Sequence, residues 1–117
     1  MKLFFLQGFQ KNPYPFIRCA DAFVSVSIVE GYPLVIAEVL CLGKAIMATK
    51  VTGTTEMLDD GKAGLLVDTD NESVYEGLKK IISSAELRED LAKKAAKRSE
   101  IFDAQKMMDE IYRLFPV

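Results

Sequence analysis

Three short apolar runs, separated by helix-like stretches and glycine-bearing turns, constrain this chain more than any other feature. They are Ala22–Val26 (AFVSV), Ala45–Ala48 (AIMA) and Ala63–Val67 (AGLLV). Each has the length of a strand and is nearly continuous in apolar residues, as strands buried on both faces are. Between the first two runs, Pro33–Leu42 reads as a helix. Proline suits its first turn, Leu34, Ala37, Val39, Leu40 and Leu42 are apolar, and Gly43 stops it. Between the second and third runs, Gly53 opens a turn and Thr54–Leu58 reads as a short helical segment. The order β-α-β-α-β predicts an α/β fold. It is an open parallel sheet with flanking helices and right-handed crossovers, covered on both faces.

The flanks extend this pattern. Leu3–Leu6 is apolar and Gly8 closes it, which predicts a further strand; Pro13 and Pro15 then punctuate the chain, and a short helix is expected over Pro15–Ala20. Beyond the third strand, Asp70 or Asn71 caps a predicted helix over Glu72–Ser83, with Val74, Leu78, Ile81 and Ile82 assigned to its apolar face. Ser84 caps the next helix, Ala85–Arg98, and a third is expected over about Asp103–Leu114. Lysines and acids alternate along these helices, as on solvated faces. Three or four strands are few for a doubly wound sheet, and no β-α unit precedes the first. Residues 1–117 therefore read as one partial Rossmann-like domain, with C-terminal helices from about residue 71.

Composition removes several functions. Fifteen Lys and Arg against seventeen Asp and Glu leave a formal charge of −2, so no electrostatic footprint for nucleic acid exists. The 117 residues include no histidine and two cysteines, which excludes Ser-His and Cys-His nucleophile pairs and most metal-site chemistry. Cys19 and Cys41 sit among apolar neighbours and are expected to be buried thiols, not a disulfide. No apolar run is long enough to span a membrane, and Met1–Leu6 is too short for a signal-peptide core, so a cytoplasmic protein is expected.

The stretch that bears chemistry is Ser27-Ile28-Val29-Glu30-Gly31-Tyr32-Pro33-Leu34-Val35-Ile36-Ala37-Glu38. A strand ends there, a glycine-containing turn follows, and a helix begins. In open parallel sheets ligands bind beyond the carboxyl ends of the strands. A helix start at that place offers unpaired amides and a partial positive charge to a phosphate. The amides of Gly31, Tyr32, Leu34 and Val35 are candidates to face an anion. Pro33 donates no hydrogen bond but fixes the turn, and Gly31 permits close backbone approach. Glu30 precedes the helix and Glu38 lies roughly 7.5 Å along its axis, so the two are staggered and do not form a glycosidase-like acid pair. Carboxylates accept several hydrogen bonds, which suits vicinal hydroxyls. Taken alone, Glu30 fits a helix cap and Glu38 a solvated helix position equally well.

The run Glu30–Glu38, EGYPLVIAE, resembles the Glu-(seven residues)-Glu motif of retaining GT-B glycosyltransferases of the group 1 / family 4 type. The resemblance extends upstream through GFQKNPYPFIRCADAFVSVS and downstream through EVLCLGKAIMAT and GTTEMLDDGKAGLLV, covering residues 3–70. It implies the donor-binding, C-terminal half of such an enzyme, which transfers a hexose from a UDP- or GDP-sugar to a hydroxyl acceptor such as a glycan or lipid-linked sugar. Glu30 would touch donor-sugar hydroxyls and is the one candidate catalytic residue. Gly31, Tyr32 and Pro33 would wrap sugar and diphosphate. Leu34 and Val35 would begin the helix under the diphosphate, and Glu38 would hold the ribose hydroxyls, with Ser27 at the strand end beside them. Glu56 would order a loop near the cleft, whereas Asp21 and Lys44 read as turn and helix-end residues.

The resemblance implies no metal and no cofactor beyond the nucleotide-sugar substrate. It also implies a role in carbohydrate biosynthesis, at the inner membrane face in the full-length enzyme. The acceptor-binding N-terminal domain has no counterpart here. Nor do the Arg and Lys that neutralise the leaving diphosphate, and Arg18, on a predicted helix, does not replace them. The chain alone is therefore expected to be inactive. The alternative is a truncated or split non-catalytic module that binds nucleotide weakly, pairs with a partner chain or self-associates. A receiver-like open-sheet module fits poorly, because the strand ends lack an acidic cluster.

Overall fold

A computed structural model describes residues 14–26 and 34–101, together with the helical residues Asp109 and Arg113. The described chain runs α1 (Tyr14–Cys19), β1 (Ala22–Ser25), α2 (Leu34–Cys41), β2 (Ala45–Thr49), α3 (Thr52–Met57), β3 (Leu65–Val67), α4 (Asn71–Ser83) and α5 (Ala85–Arg98). A 3-10 turn over Ser99–Ile101 closes α5. The three strands form a parallel sheet in the order β1-β2-β3. Ala22–Ser25 pair with Ala45–Ala48, and Met47–Thr49 with Leu65–Val67. This is the expected β-α-β-α-β arrangement. The expected strand at Leu3–Leu6 lies outside the described residues, as does the helix expected from about Asp103, save for Asp109 and Arg113.

The middle strand organises the interior. All five residues of β2 are buried. Successive strand side chains point to opposite faces, so β2 supplies two cores at once. Ile46 and Ala48 join Ile36, Ala37, Val39 and Leu40 of α2, and Met57 and Leu58 at the end of α3. Ala45 and Met47 join Ile81 of α4 and Leu91 of α5, with Val74, Leu78 and Leu87 packed around them. Helix α5 serves both cores, because its Ala95 belongs to the α2 side. The outer strands are less covered than their apolar sequences predict: β3 is half-buried throughout, and Val24 of β1 is 39% exposed. Among the described residues each has a strand neighbour on one side only, and although Phe23 and Leu66 pack on one core and Ala22, Leu65 and Val67 on the other, only the central strand is buried throughout.

Local chemistry sets the helix boundaries. Asp70, the cap of α4, accepts from the Ser73 amide at 3.0 Å and from its hydroxyl at 2.6 Å. Those bonds hold the exposed Asp70 carboxyl below the usual carboxylate range, the hydroxyl bond contributing most. Ser84 accepts from the Leu87 amide at 3.0 Å and starts α5. The Arg88 guanidinium donates to the carbonyls of Ile81 and Ile82, closing the end of α4.

Four sequence expectations need correction. Ile82 is 71% exposed and not part of the buried face of α4. It sits about 100° around the helix from buried Ile81, and Gly77 takes the inner position instead. Cys19 is exposed at the end of α1 and Cys41 is half-buried, so neither is a core thiol, though neither forms a disulfide. Helix α3 begins at Thr52, with Gly53 inside its first turn, two residues before the expected start. The third strand begins at Leu65, because Ala63 and Gly64 belong to the turn before it.

That turn depends on backbone freedom. Asp59 and Asp60 adopt positive φ of 52° and 54°, a region where short polar side chains are tolerated, and Gly61 follows at 95°. Gly77 is limited by space instead. A Cβ there would lie 2.7 Å from Val67 Cγ1 and 2.9 Å from Met47 Cε. Alanine normally favours a helix over glycine by about 1 kcal/mol. Gly77→Ala is nevertheless expected to destabilise the fold by about 1–3 kcal/mol through overpacking. Urea unfolding followed by circular dichroism checks this, and a raised midpoint would show that the α4–sheet contact yields without cost.

Candidate functional site at the carboxyl ends of the strands

Because the sheet is parallel, β1, β2 and β3 all end on the same side, at Ser25, Thr49 and Val67. Helices α2 and α3 follow the first two of these ends. Lys50 continues the ladder there, its amide donating to the Val67 carbonyl at 2.7 Å, and its ammonium lies 3.7 Å from the Asp68 carboxylate. Both side chains of that pair are largely exposed, so the pair contributes little to stability.

Helix α2 is strongly apolar because β2, α3 and α5 all contribute to the core that its inner residues join. Ile36, Ala37, Val39 and Leu40 are buried, while Val35 is 39% exposed and Glu38 half-buried. Val35 and Glu38 are three residues apart and share the outer face. Glu38 lies roughly 6 Å along the helix from Leu34. One turn on is Cys41. Its thiol is pushed up from the ordinary range, chiefly by burial and then by the negative charge of Glu38. The Glu38 carboxylate therefore acts electrostatically along the outer side of α2, within reach of Cys41.

Of the sequence-predicted site residues, Leu34, Val35 and Glu38 fall in α2 as expected. Ser27, Glu30, Gly31, Tyr32 and Pro33 lie outside the described residues. Glu56 is exposed near the end of α3, and its backbone carbonyl accepts from the Asp59 amide and from the Arg98 guanidinium. Asp21 and Lys44 stand at the opposite, amino ends of β1 and β2, beside Arg88 and Glu89 of α5. They lie on the side of the sheet opposite the strand ends at Ser25, Thr49 and Val67, and Lys44 follows the turn that ends α2.

Sequence reasoning missed Arg98. It closes α5, yet its guanidinium reaches 41 residues back along the chain, donating to the Met57 carbonyl at 3.1 Å and the Glu56 carbonyl at 3.0 Å. As one base in a helix full of alternating charges, it carried no signal that set it apart. A shallow depression beside this contact is lined by Lys50, Thr52, Thr55, Glu56 and Arg98. Among the described residues, no group of three or more potential ligands gathers to hold a metal ion.

Residues 2–98 match the family model for glycosyl transferases group 1. The chain belongs to that family. A relative is the N-acetylgalactosamine-N,N'-diacetylbacillosaminyl-diphospho-undecaprenol 4-alpha-N-acetylgalactosaminyltransferase of Campylobacter jejuni. It is 36% identical over 104 residues, covering 87% of this chain and 28% of the relative. The D-inositol 3-phosphate glycosyltransferase of Paenarthrobacter aurescens is 33% identical over 90 residues, covering 76% of this chain and 22% of that protein. The group 1 chain thus spans about a quarter of the length of these relatives. Its fold is similar to that of sucrose-phosphate synthase from Thermosynechococcus elongatus, with a TM-score of 0.70 at 22% identity. That match covers 86% of this chain and 27% of the other. The architecture is the Rossmann-like α/β unit of the GT-B fold. No described helix is long and apolar enough to cross a membrane.

The link between Glu38 and Cys41 is measurable. In a Cys19→Ser background, Glu38→Gln removes a negative charge from beside the Cys41 thiol, so its pKa falls and the thiolate fraction near pH 8 rises. Alkylation of Cys41 by iodoacetamide is expected to speed up several-fold, because the rate follows the thiolate. An unchanged rate would place the Glu38 carboxylate away from Cys41.

Proposed function

We propose that this chain is the donor-binding half of a retaining glycosyltransferase, one that moves a hexose from a UDP- or GDP-sugar to a hydroxyl acceptor. The single observation that supports this most is the position of α2. In a member of the group 1 family, it follows the strand-to-helix junction at the carboxyl end of β1 and carries Glu38 on its outer face. In this reading the amides at the helix start meet the diphosphate, and its partial positive charge balances the anion. Glu30 accepts from sugar hydroxyls and Glu38 from the ribose hydroxyls. Ser27, Gly31, Tyr32, Pro33, Leu34 and Val35 shape the pocket between them. No protein nucleophile and no metal take part. The full enzyme works by orienting donor against acceptor and stabilising the departing diphosphate.

The acceptor is a glycan or a lipid-linked sugar, and the work is done on the cytoplasmic side of the membrane. The names of the Campylobacter and Paenarthrobacter relatives, each a sugar transferase, favour this class of reaction. The leaving diphosphate needs cationic partners, and Arg18 lies on α1, away from the α2 start in sequence. This chain is therefore proposed to bind donor without turning it over unless a second domain or partner chain completes the cleft.

Titration of the chain with UDP and with GDP tests the reading. One of the two is expected to bind, and Glu38→Gln to weaken it by about tenfold to a hundredfold, the value of a hydrogen bond to a charged group. Equal binding by wild type and Glu38→Gln would remove Glu38 from the site, and no binding by either would sink donor recognition by this chain. Sugar transfer from UDP-glucose or GDP-mannose by the chain alone would overturn its proposed inactivity.

A further inference from the structure

Helix α3 is poorly equipped to hold itself. It has six residues, no side-chain cap at its start and no acidic residue in its first turn. Isolated helices of this length are unstable, and their last carbonyls lack intrahelical donors. Three bonds fold its end back: the amides of Leu58, Asp59 and Asp60 donate to the carbonyls of Thr54, Glu56 and Thr55. Beyond the core packing of Met57, further support comes from Arg98, whose Nε and Nη2 donate to the Met57 and Glu56 carbonyls.

A guanidinium suits this place for two reasons. Its planar fork spans two neighbouring carbonyls at once, which a lysine ammonium on a flexible stem does not reproduce. Its charge also lies at the negative end of the helix dipole. Arg98 is itself anchored, because it ends α5, whose Ala95 is fully buried in the core beneath α2. The Ser99 hydroxyl donates to the Ala96 carbonyl at 2.6 Å and closes the helix directly behind it. Met57 and Leu58, at the tied end of α3, pack in the same core as Ile36 and Leu40 of α2.

We propose that Arg98 is a positioning residue for the donor site: it clamps α3 against α2 from the far end of α5, and so fixes the outer face of α2 that carries Glu38. The clamp consists of two charge-assisted hydrogen bonds, Met57 and Leu58 transmit it, and the helix it steadies is the one that takes the nucleotide. Its bearing on the ligand rests on the donor reading above, whereas its hold on the two helices does not. Arg88 is the natural control, because it too ties two neighbouring carbonyls, through Nη1 alone, at the end of α4 and at the opposite end of the strands.

Amide hydrogen exchange and UDP or GDP titration on the whole chain, for wild type, Arg98→Lys and Arg88→Lys, test the proposal. Urea unfolding shows that each variant is folded. Arg98→Lys keeps charge and stem and loses the fork. It is expected to speed exchange by about tenfold or more at Leu58–Asp60 and at Leu42–Gly43, where α2 ends, and to leave the amides of α4 unchanged. Nucleotide affinity is expected to fall several-fold. Arg88→Lys is expected to loosen only the end of α4 and to leave nucleotide affinity as it was. Uniform acceleration in every helix, or unchanged exchange at α2, would reduce Arg98 to ordinary structural support and overturn the proposal. Intact affinity in a chain whose α3 and α2 had loosened would overturn its role at the site. If wild type binds neither nucleotide, the donor reading fails, and exchange at α3 and α2 still decides whether Arg98 holds the pair.

Discussion

Everything in this fold leans on the burial of one five-residue strand. Ala45–Thr49 is fully enclosed, and its alternating side chains seed two separate cores. Burying a side chain such as Ile46 or Met47 is worth about 1.5–3 kcal/mol each, and no other described strand is buried along its whole length. Helix α2 is held because Ile36 and Leu40 have Ile46 and Ala48 to pack on. Helix α4 is held because Ile81 meets Met47 across a glycine that leaves no spare volume. Helix α5 joins the two sides, with Leu91 in one core and Ala95 in the other.

That enclosure sets the direction of the helices. A parallel sheet delivers all of its strand ends to one side, and the helices that return from those ends begin there. Helix α2 runs back from the carboxyl side of the sheet with Glu38 about midway along it, while Asp21 and Lys44 lie at the amino side. Glu38 escapes burial because the inner positions of α2 are taken by Ile36, Ala37, Val39 and Leu40, leaving its turn to face outward with Val35. Partial burial, and after it the charge that this leaves on the outer face, hold the Cys41 thiol protonated to higher pH.

The elements around α3 are small, and each needs help from a distance. Helix α3 lacks a side-chain cap and depends on carbonyl contacts from Arg98. The turn after it needs two aspartates and a glycine in left-handed geometry to bring the chain back into β3. Gly64 then passes so close to Leu58 and the Ile46 carbonyl that a Cβ would meet them at 2.9 and 3.1 Å.

Local signals were legible in the sequence because their causes are local. Period and apolar continuity marked the three strands, Gly43 marked the end of α2, and Asp70 and Ser84 marked the starts of α4 and α5. The Glu-(seven residues)-Glu run, with its flanks, was enough to indicate the group 1 family that the comparisons established. Tertiary structure decided what depends on neighbours distant in the chain. Ile82 faces solvent because Gly77 and Ile81 occupy the inner side of α4 against Met47 and Val67. Cys19 is exposed because α1 ends with no cover over it among the described residues. Arg98 gained its role only when folding brought residue 98 to the carbonyls of residues 56 and 57, a contact that no periodicity or capping rule encodes.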